Sequence, residues 1–408
     1  MDYAMSGGLE LLKRWGGFVG VTILVCLCFA TSSLPTPLYP LYERAWQIPP
    51  SSLSYIFTAY MAAVFATLLC FGRVSDTFGR FRVIVASVLM LMLGLVLSMV
   101  AQSVATLMLA RAIIGFGNGI LATTAALAMG EAHPQQDRRK AAVVTSSAIT
   151  VSFGAGPVLG GVIAQWNVYP LVLPYIFIFI LAILTLFLII VSRGQLQGPC
   201  GARVPLSIVP KMALPVVVNR PPFLLGCAGG FFTFGVGCLF ASLVPSVLPE
   251  LQLPWQGPIV VGVAFIFVAI ASVLVQTTQT RYPPFKGLMF GMGAFGLSVV
   301  FLALGMYTHS AAVLVIAMIC FGIGQGFGFM YASMIASLHA DEHRRAANMS
   351  TFFLSAYTGA TLPIIGVGIL ADHVGLSTAI YTFCLITTAV LSCLSAYSGW
   401  MHRHRTTP

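Results

Sequence analysis

The stretch from Leu171 to Val191 reads LVLPYIFIFILAILTLFLIIV and contains no charged side chain. It is apolar on every face, so no side of a helix built from it suits water. It is long enough to cross a hydrocarbon core of about 30 Å as an α-helix. A transmembrane β-strand would instead alternate apolar and polar residues over about ten positions. The stretch therefore predicts a membrane-spanning helix.

Similar apolar windows recur from Trp15 to Met401 and predict an all-α membrane protein with twelve spans. The composition agrees, because 58% of the chain is hydrophobic and only 7% is charged, whereas soluble domains carry about 25% charged residues. The first window is too long for a cleaved signal, so we expect this span to be retained. The windows lie near residues 16–41, 52–71, 82–102, 106–130, 141–165, 171–192, 222–248, 258–277, 287–306, 310–336, 347–370 and 377–400.

The basic residues predict the orientation of these spans. Except for Arg44 and Arg111, every Lys and Arg falls at the chain termini or in alternate loops. The positive-inside rule makes those segments cytoplasmic, so both termini are expected inside a bacterial-type inner membrane. The basic residues that give the net charge of +10 thus predict which side of the membrane faces the cytoplasm. Nucleic-acid binding is not expected, because that would need basic residues clustered on one face.

A long polar break and an internal repeat divide the chain. The break predicts an N-terminal six-helix bundle at residues 1–192, a cytoplasmic linker at 193–220 and a C-terminal six-helix bundle at 221–408. A shift of 206 lays Pro157 on Pro363, and a shift of 207 lays Asn118 on Gln325. An even number of spans in each half makes the two bundles parallel repeats, an arrangement that encloses a central site in one major group of carriers.

The loop between the second and third spans reads GRVSDTFGRFR from Gly72 to Arg82. It resembles the G-x-L-A-D-R-x-G-R-K loop of the major facilitator superfamily and departs from it at Thr77 and Phe81. The resemblance implies the two-bundle fold of that family. It also implies a conformational latch in which Asp76 faces the start of the eleventh span near Asn348, where a helix dipole favours an ionised acid. The latch residues are Gly72, Asp76, Gly79 and Arg80.

An arginine lies within the fourth span. The pattern from Leu107 through Arg111 to Gly119 resembles the superfamily pattern L-x-x-x-R-x-x-Q-G-x-G, with Ile114 in place of the glutamine. An arginine in a span is costly, so Arg111 is expected to face the cavity or to pair with a backbone carbonyl or an acid. The alternative is that its long side chain reaches water at the nearby end of the span.

The fifth span carries SFGAGPVLGG from Ser152 to Gly161, called the Gly-Pro segment below. It resembles the signature G-x-x-x-G-P-x-x-G-G of drug:proton antiporters, with Ser152 in the first glycine position, and so implies an exporter. Small residues allow close helix contact and a proline can bend a helix, which predicts a hinge. A plain packing face is the alternative. The hinge residues are Gly156, Pro157, Gly160 and Gly161.

The superfamily resemblance places the substrate cavity among spans one, four, seven and ten. A mainly apolar and aromatic wall with uncharged polar groups favours a neutral or amphipathic organic compound. Any one of the aromatic side chains could equally face lipid. The candidate cavity residues are Arg111, Asn118, Thr123, Phe231, Gln325 and Tyr331.

Together these features predict a secondary carrier that exports a small organic or drug-like compound by alternating access, with protons as the exchanged ion. Proton-driven carriers commonly use an ionisable side chain within the membrane, but no acid falls at the centre of a predicted span. This distribution weakens the argument for proton coupling. Uptake by symport or facilitated diffusion is the alternative function. The acids left as coupling candidates are Glu43, Asp76, Glu131 and Glu250.

Enzymatic activity is not expected. The chain has no H-E-x-x-H or P-loop motif, and no paired acids or Cys/His ligand cluster lies within its spans, so neither a cofactor nor a metal is predicted. The loops leave no room for a catalytic domain. The predicted partners are a small-molecule substrate, protons and the lipid bilayer, and the protein is expected to be a monomer.

Overall fold

The structure is a computed structural model that describes residues 2–71, 74–132, 134–135, 138–166, 169–196, 212–251, 257–278, 282–341 and 344–405. Twelve long helices make up most of these residues, and no strand occurs among them. The helices are Asp2–Ser33 (α1), Pro50–Cys70 (α2), Arg80–Met99 (α3), Val104–Ala132 (α4), Arg138–Gln165 (α5), Leu173–Val191 (α6), Arg220–Ser242 (α7), Pro258–Thr278 (α8), Pro284–Thr308 (α9), Ala311–Leu338 (α10), Arg345–Val374 (α11) and Leu376–Arg405 (α12).

Eleven helical segments in the described part are long and apolar enough to cross a membrane. Helix α5 contributes the shorter apolar segment Val151–Gln165. These lengths and compositions match the bilayer requirement of about 20 apolar residues for each span. The prediction of an all-α, multi-pass membrane protein is therefore confirmed.

The first helix of each half ends earlier than the sequence predicts. The first span was expected to continue to residue 41 and the seventh to residue 248, but α1 ends at Ser33 and α7 at Ser242. Pro35 and Pro245 lie just beyond these ends. Proline lacks the N–H that an α-helix needs and restricts the residue before it. Short helices at Tyr39–Trp46 and Val244–Val247 follow the two breaks.

Helix packing repeats between the two halves of the chain. In the first half α2 and α3 pack on α4, α1 packs on α5, and α3 packs on α6. In the second half α8 and α9 pack on α10, α7 packs on α11, and α9 packs on α12. The two main contacts between the halves, α5 with α8 and α11 with α2, are related by the same six-helix shift. The two bundles are therefore parallel repeats.

The two halves meet at the end of the helices that carries Asp372, called the Asp372 end. There the backbone N–H of Ser51 donates to Asp372 Oδ1 at 3.2 Å. The N–H of Ile259, at the start of α8, donates to Gln165 Oε1 at 3.4 Å. The opposite end, called the Arg80 end, is the one that the positive-inside rule assigns to the cytoplasm.

The described ends of the segment between the halves are each bound to their own half. Gln195 Oε1 accepts a hydrogen bond from the N–H of Gly17 in α1 at 2.8 Å. Beyond the gap, Ala213 O accepts one from Asn348 Nδ2 of α11 at 2.9 Å. Residues 197–211 lie outside the described part of the chain. The division at 192 and 221 stays a prediction that these contacts support.

Candidate functional site

One face of the Gly-Pro segment packs on α1 within the first half. A Cβ on Gly156 would collide with the carbonyl oxygen of Ala30 and the hydroxyl of Ser33. A Cβ on Gly160 would lie 2.5 Å from Leu34 O and 3.2 Å from Pro37 Cγ. These glycines therefore allow α5 to lie directly against the end of α1, where the helix breaks.

Another face of the same segment packs on α8, which belongs to the second half. A Cβ on Gly161 would lie 2.5 Å from Pro258 O, and one on Gly262 of α8 would lie 2.8 Å from Pro157 O. Further along α5, a Cβ on Gly154 would lie 2.7 Å from Ala269 Cβ. The Gly-Pro segment therefore contacts α1 of its own half on one face and α8 of the second half on another face.

Arg111 is fully buried and holds the end of α1. Its exposed fraction is 0%, its Nη1 donates to Thr31 O at 3.2 Å, and its Nη2 donates to Ser32 O at 2.8 Å. The guanidinium carbon lies 4.5 Å from the centre of the Tyr60 ring, a cation–π distance. Carbonyl groups at a helix C-terminus are left without partners inside the helix, so Arg111 satisfies two of them. The alternative in which the side chain reaches water does not hold in this structure.

Four tyrosines surround Arg111. Tyr39, Tyr42, Tyr60 and Tyr175 each interact with its charge, and the hydroxyls of Tyr42 and Tyr175 lie 3.2 Å apart. The sequence pattern does not predict this cluster. Tyr39 and Tyr42 follow a proline-rich break and could have been noticed, but nothing in the sequence brings Tyr175 of α6 to the fourth span.

Asn118 lies about two turns further along the buried face of α4. Its exposed fraction is 7%, and its Nδ2 donates to Cys28 O of α1 at 2.9 Å and to Tyr60 Oη at 3.3 Å. Because Cys28 O only accepts hydrogen bonds, the nitrogen of the amide must face it. The amide oxygen Oδ1 is buried and has no hydrogen-bond partner.

Gln325 occupies the equivalent position in the second half. Its Oε1 is also buried without a hydrogen-bond partner, and it lies 3.9 Å from where a Cβ on Gly237 of α7 would stand. Asn118 thus faces the first helix of its half, and Gln325 faces the first helix of the other. Both repeats present an unpaired amide oxygen at corresponding places.

A row of half-buried aromatic rings connects the two halves; we call Phe65, Tyr357, Phe234 and Phe329 the aromatic row. The Phe65 ring of α2 lies 5.3 Å from that of Tyr357 of α11. Tyr357 lies 5.3 Å from Phe234 of α7, which lies 5.5 Å from Phe329 of α10. Phe234 and Phe329 belong to the seventh and tenth spans, which the superfamily resemblance places around the cavity. The contributions of α2 and α11 are not predicted by the sequence.

The remaining cavity candidates occupy different places. Phe231 of α7 is half-buried and packs edge-on against Phe232 at 5.2 Å. Tyr331 is buried against Gly287 of α9, an outer helix of the second half, so the structure does not bring it to Asn118. The side chain of Thr123 lies outside the described part of the structure.

The latch residues are described only in part. Gly79 precedes α3 with φ +84°, a conformation that favours glycine, and Arg80 forms an ion pair with Glu131 at the end of α4. Gly72 and the side chain of Asp76 lie outside the described residues. At the start of α11, Asn348 Oδ1 accepts from Asp341 N at 3.0 Å. The latch therefore stays a prediction.

Among the other acids, Asp372 joins the two halves as described above, and the side chain of Glu250 lies outside the described part. Among the described residues, no group of His, Cys, Asp or Glu side chains is placed so that it could hold a metal ion. The site is thus built from one buried cation, uncharged polar groups and aromatic rings.

Comparisons with known proteins agree with this architecture. The family described as Major Facilitator Superfamily matches residues 21–363. A probable 4-methylmuconolactone transporter of Cupriavidus pinatubonensis is 24% identical over 366 residues, which cover 86% of this chain and 82% of that protein. The riboflavin transporter RibZ of Clostridioides difficile is 27% identical over 154 residues, which cover 37% of this chain and 34% of RibZ. The match thus spans about a third of the length of that relative.

A solved structure of a mutant of the peptide transporter POT, in complex with sulfate, has the same fold. Its TM-score is 0.77 at 14% sequence identity, and the match covers 96% of this chain and 95% of that chain. At this identity the likeness concerns the fold alone. It covers both halves.

Proposed function

The chain belongs to the major facilitator superfamily of membrane transporters, and from that premise we propose that it exports a small organic compound in exchange for protons. The two halves would alternate access to a central site between Asn118 and Gln325. The protein would act as a monomer in a bacterial-type inner membrane with both termini in the cytoplasm.

The proposal that transport is outward depends mainly on the Gly-Pro segment of α5. It resembles the signature of drug:proton antiporters, and Gly161 and Pro157 within it form the direct contact with α8. Small residues at such a contact let two backbones touch and exclude water and ions. A close seal between the halves suits an exporter, because a leak at that place would dissipate the gradient that drives export.

The described side chains favour a particular class of substrate. The aromatic row offers flat apolar surfaces for an amphipathic or aromatic molecule. The amide oxygens of Asn118 and Gln325 are acceptors without donors, and a buried acceptor without a donor is unfavourable. A neutral compound with hydroxyl or N–H donors on opposite sides of an apolar body would satisfy both. Arg111 is already bonded to two carbonyl groups, so we do not assign it to an anionic substrate.

The ion pair between Arg80 and Glu131 supports proton coupling. Glu131 is 34% exposed, so water at the Arg80 end can reach its carboxylate. Protonation would remove the negative charge and release Arg80 from the pair. The pair thus offers one place where proton binding changes the structure.

A cell-based screen tests the proposal. Cells with and without the protein are compared by untargeted mass spectrometry of cell extracts and medium, together with growth in the presence of amphipathic organic toxins. We expect at least one aromatic or amphipathic compound to be depleted from the cells, enriched in the medium and better tolerated.

The variant Pro157→Leu, expressed at the same level in the membrane, serves as the matched control and should abolish these differences. Accumulation of a compound inside cells that express the wild type would refute export and favour uptake by symport or facilitated diffusion.

A further inference from the structure

A groove runs between α9 and α12 on the outer side of the second half. Its volume is about 650 Å³, within the range of about 300–1,000 Å³ that is usual for small-molecule sites. Two glycines leave this space open. A Cβ on Gly293 would come no closer than 3.7 Å to Ser395 Oγ, and one on Gly296 no closer than 3.9 Å to Leu391 Cβ.

Hydrogen bonds between the two helices fix the shape of the groove. Ser395 Oγ donates to Met289 O at 3.0 Å, and Ser398 Oγ donates to Phe285 O at 2.7 Å. Both bonds join α12 to the backbone of α9 near the Arg80 end. The groove is therefore a preformed feature of the helix pair and needs no opening motion.

The groove faces the bilayer. Apolar side chains that line it are exposed, with exposed fractions of 53% for Leu297 and 41% for Val300. In a membrane transporter such surfaces contact lipid chains. The floor at Gly293, which is partly exposed, is therefore accessible from the hydrocarbon layer.

The mouth of the groove at the Arg80 end is cationic and aromatic. Arg403 and His404 line it together with Trp400, whose ring lies 4.7 Å from that of His404. Tryptophan marks the level of the lipid headgroups in membrane proteins. Helices α9 and α12 contain no Asp or Glu, whereas Lys286 and Arg405 add positive charge near the same end.

We propose that this groove binds one anionic phospholipid, with its phosphate at Arg403 and an acyl chain against Gly293 and Gly296. The combination of an apolar channel and a cationic mouth matches a molecule with a long apolar tail and an anionic head. Basic pockets between helices on the cytoplasmic side hold anionic headgroups in other membrane proteins. A free phosphate would leave the apolar channel empty, and a zwitterionic lipid would not match the excess of positive charge.

Native mass spectrometry of the full-length protein in detergent tests this assignment. Phosphatidylglycerol and phosphatidylcholine are titrated separately, and the bound lipid molecules are counted. We expect one phosphatidylglycerol to bind at least about fivefold more tightly than phosphatidylcholine, the ratio that corresponds to one cation near the headgroup. Equal affinity for the two lipids would overturn the proposal.

Two variants locate the site. Arg403→Gln should weaken phosphatidylglycerol binding about fivefold and leave phosphatidylcholine unchanged, whereas Arg44→Gln at the opposite end should change neither. Gly293→Leu should fill the channel and weaken both lipids. Its control is Gly366→Leu on α11, where an exposed glycine also has open space around it. Unchanged phosphatidylglycerol binding in Arg403→Gln, or equal effects of the two leucine variants, would place the lipid elsewhere.

Discussion

Gly161→Ala should disturb the contact between the two halves of the protein. The new Cβ would lie 2.5 Å from Pro258 O and 3.1 Å from Ile259 Cα, whereas ordinary contact begins at 3.4 Å. Helices α5 and α8 would therefore have to separate by about 0.9 Å at this point. Forcing extra volume into a tight contact costs about 1–3 kcal/mol.

The energetic cost of Gly161→Ala falls on the state of the transport cycle in which the Asp372 end is closed. The contact between α5 and α8 at this position requires the Asp372 end to be closed, so Gly161→Ala destabilises the closed state relative to the open state. A differential cost of about 1–3 kcal/mol changes the ratio of the two states by about 5- to 150-fold.

Gly160→Ala is the matched control. Its Cβ would lie at the same distance, 2.5 Å, from a carbonyl oxygen, but that oxygen belongs to Leu34 in the first half. Because α5 and the end of α1 belong to the same half and move together, the energetic cost of this substitution applies to both the open and the closed state. This variant should lower thermal stability and leave the ratio of states close to that of the wild type.

The assay measures the distance across the Asp372 end. Spin labels replace Arg44 and His373, which are exposed at that end in the two halves, in a cysteine-depleted background. Double electron–electron resonance should show a shift to longer distances in Gly161→Ala and none in Gly160→Ala. Equal shifts in both variants, or a shift in Gly160→Ala alone, would refute the reasoning.

Three further predictions concern the site itself. Asn118→Leu and Gln325→Leu should each weaken substrate affinity with little change in melting temperature; a loss of stability at unchanged affinity would make the amides packing groups. Arg111→Lys should lower stability by about 1–3 kcal/mol in thermal unfolding, because a single ammonium cannot replace both guanidinium contacts; an unchanged melting temperature would show that these contacts contribute little. Asp76→Asn should reduce efflux by up to about thirtyfold at a normal protein level, since a charge at a helix N-terminus contributes up to about 2 kcal/mol; normal efflux would remove this residue from the mechanism.

The helices and their repeat could be predicted from the sequence because the bilayer imposes a simple rule. Each span must be long and apolar, as Leu171 to Val191 shows, and the loop charge predicts one consistent orientation. The end of α1 at Ser33 was missed because the apolar run continues beyond it. Hydropathy gives no weight to Pro35, although that residue interrupts the helix.

The candidate site could be predicted only in part. The amides Asn118 and Gln325 were found because the repeat aligns them, and the structure places both toward the first helix of their half. The rotation of a helix about its axis depends on packing against its neighbours. For that reason Tyr331 was expected in the cavity but lies against α9, and the aromatic ring of Tyr357 was not foreseen.

Transport in membrane vesicles of opposite orientation tests the central claim most directly. The compound found in the efflux screen is supplied to inside-out and right-side-out vesicles that contain the protein, with an imposed proton gradient. Proton-coupled export predicts accumulation in inside-out vesicles with an acidic interior, and loss of that accumulation when an ionophore collapses the gradient. Accumulation in right-side-out vesicles instead, or accumulation that is indifferent to the gradient, would contradict the account.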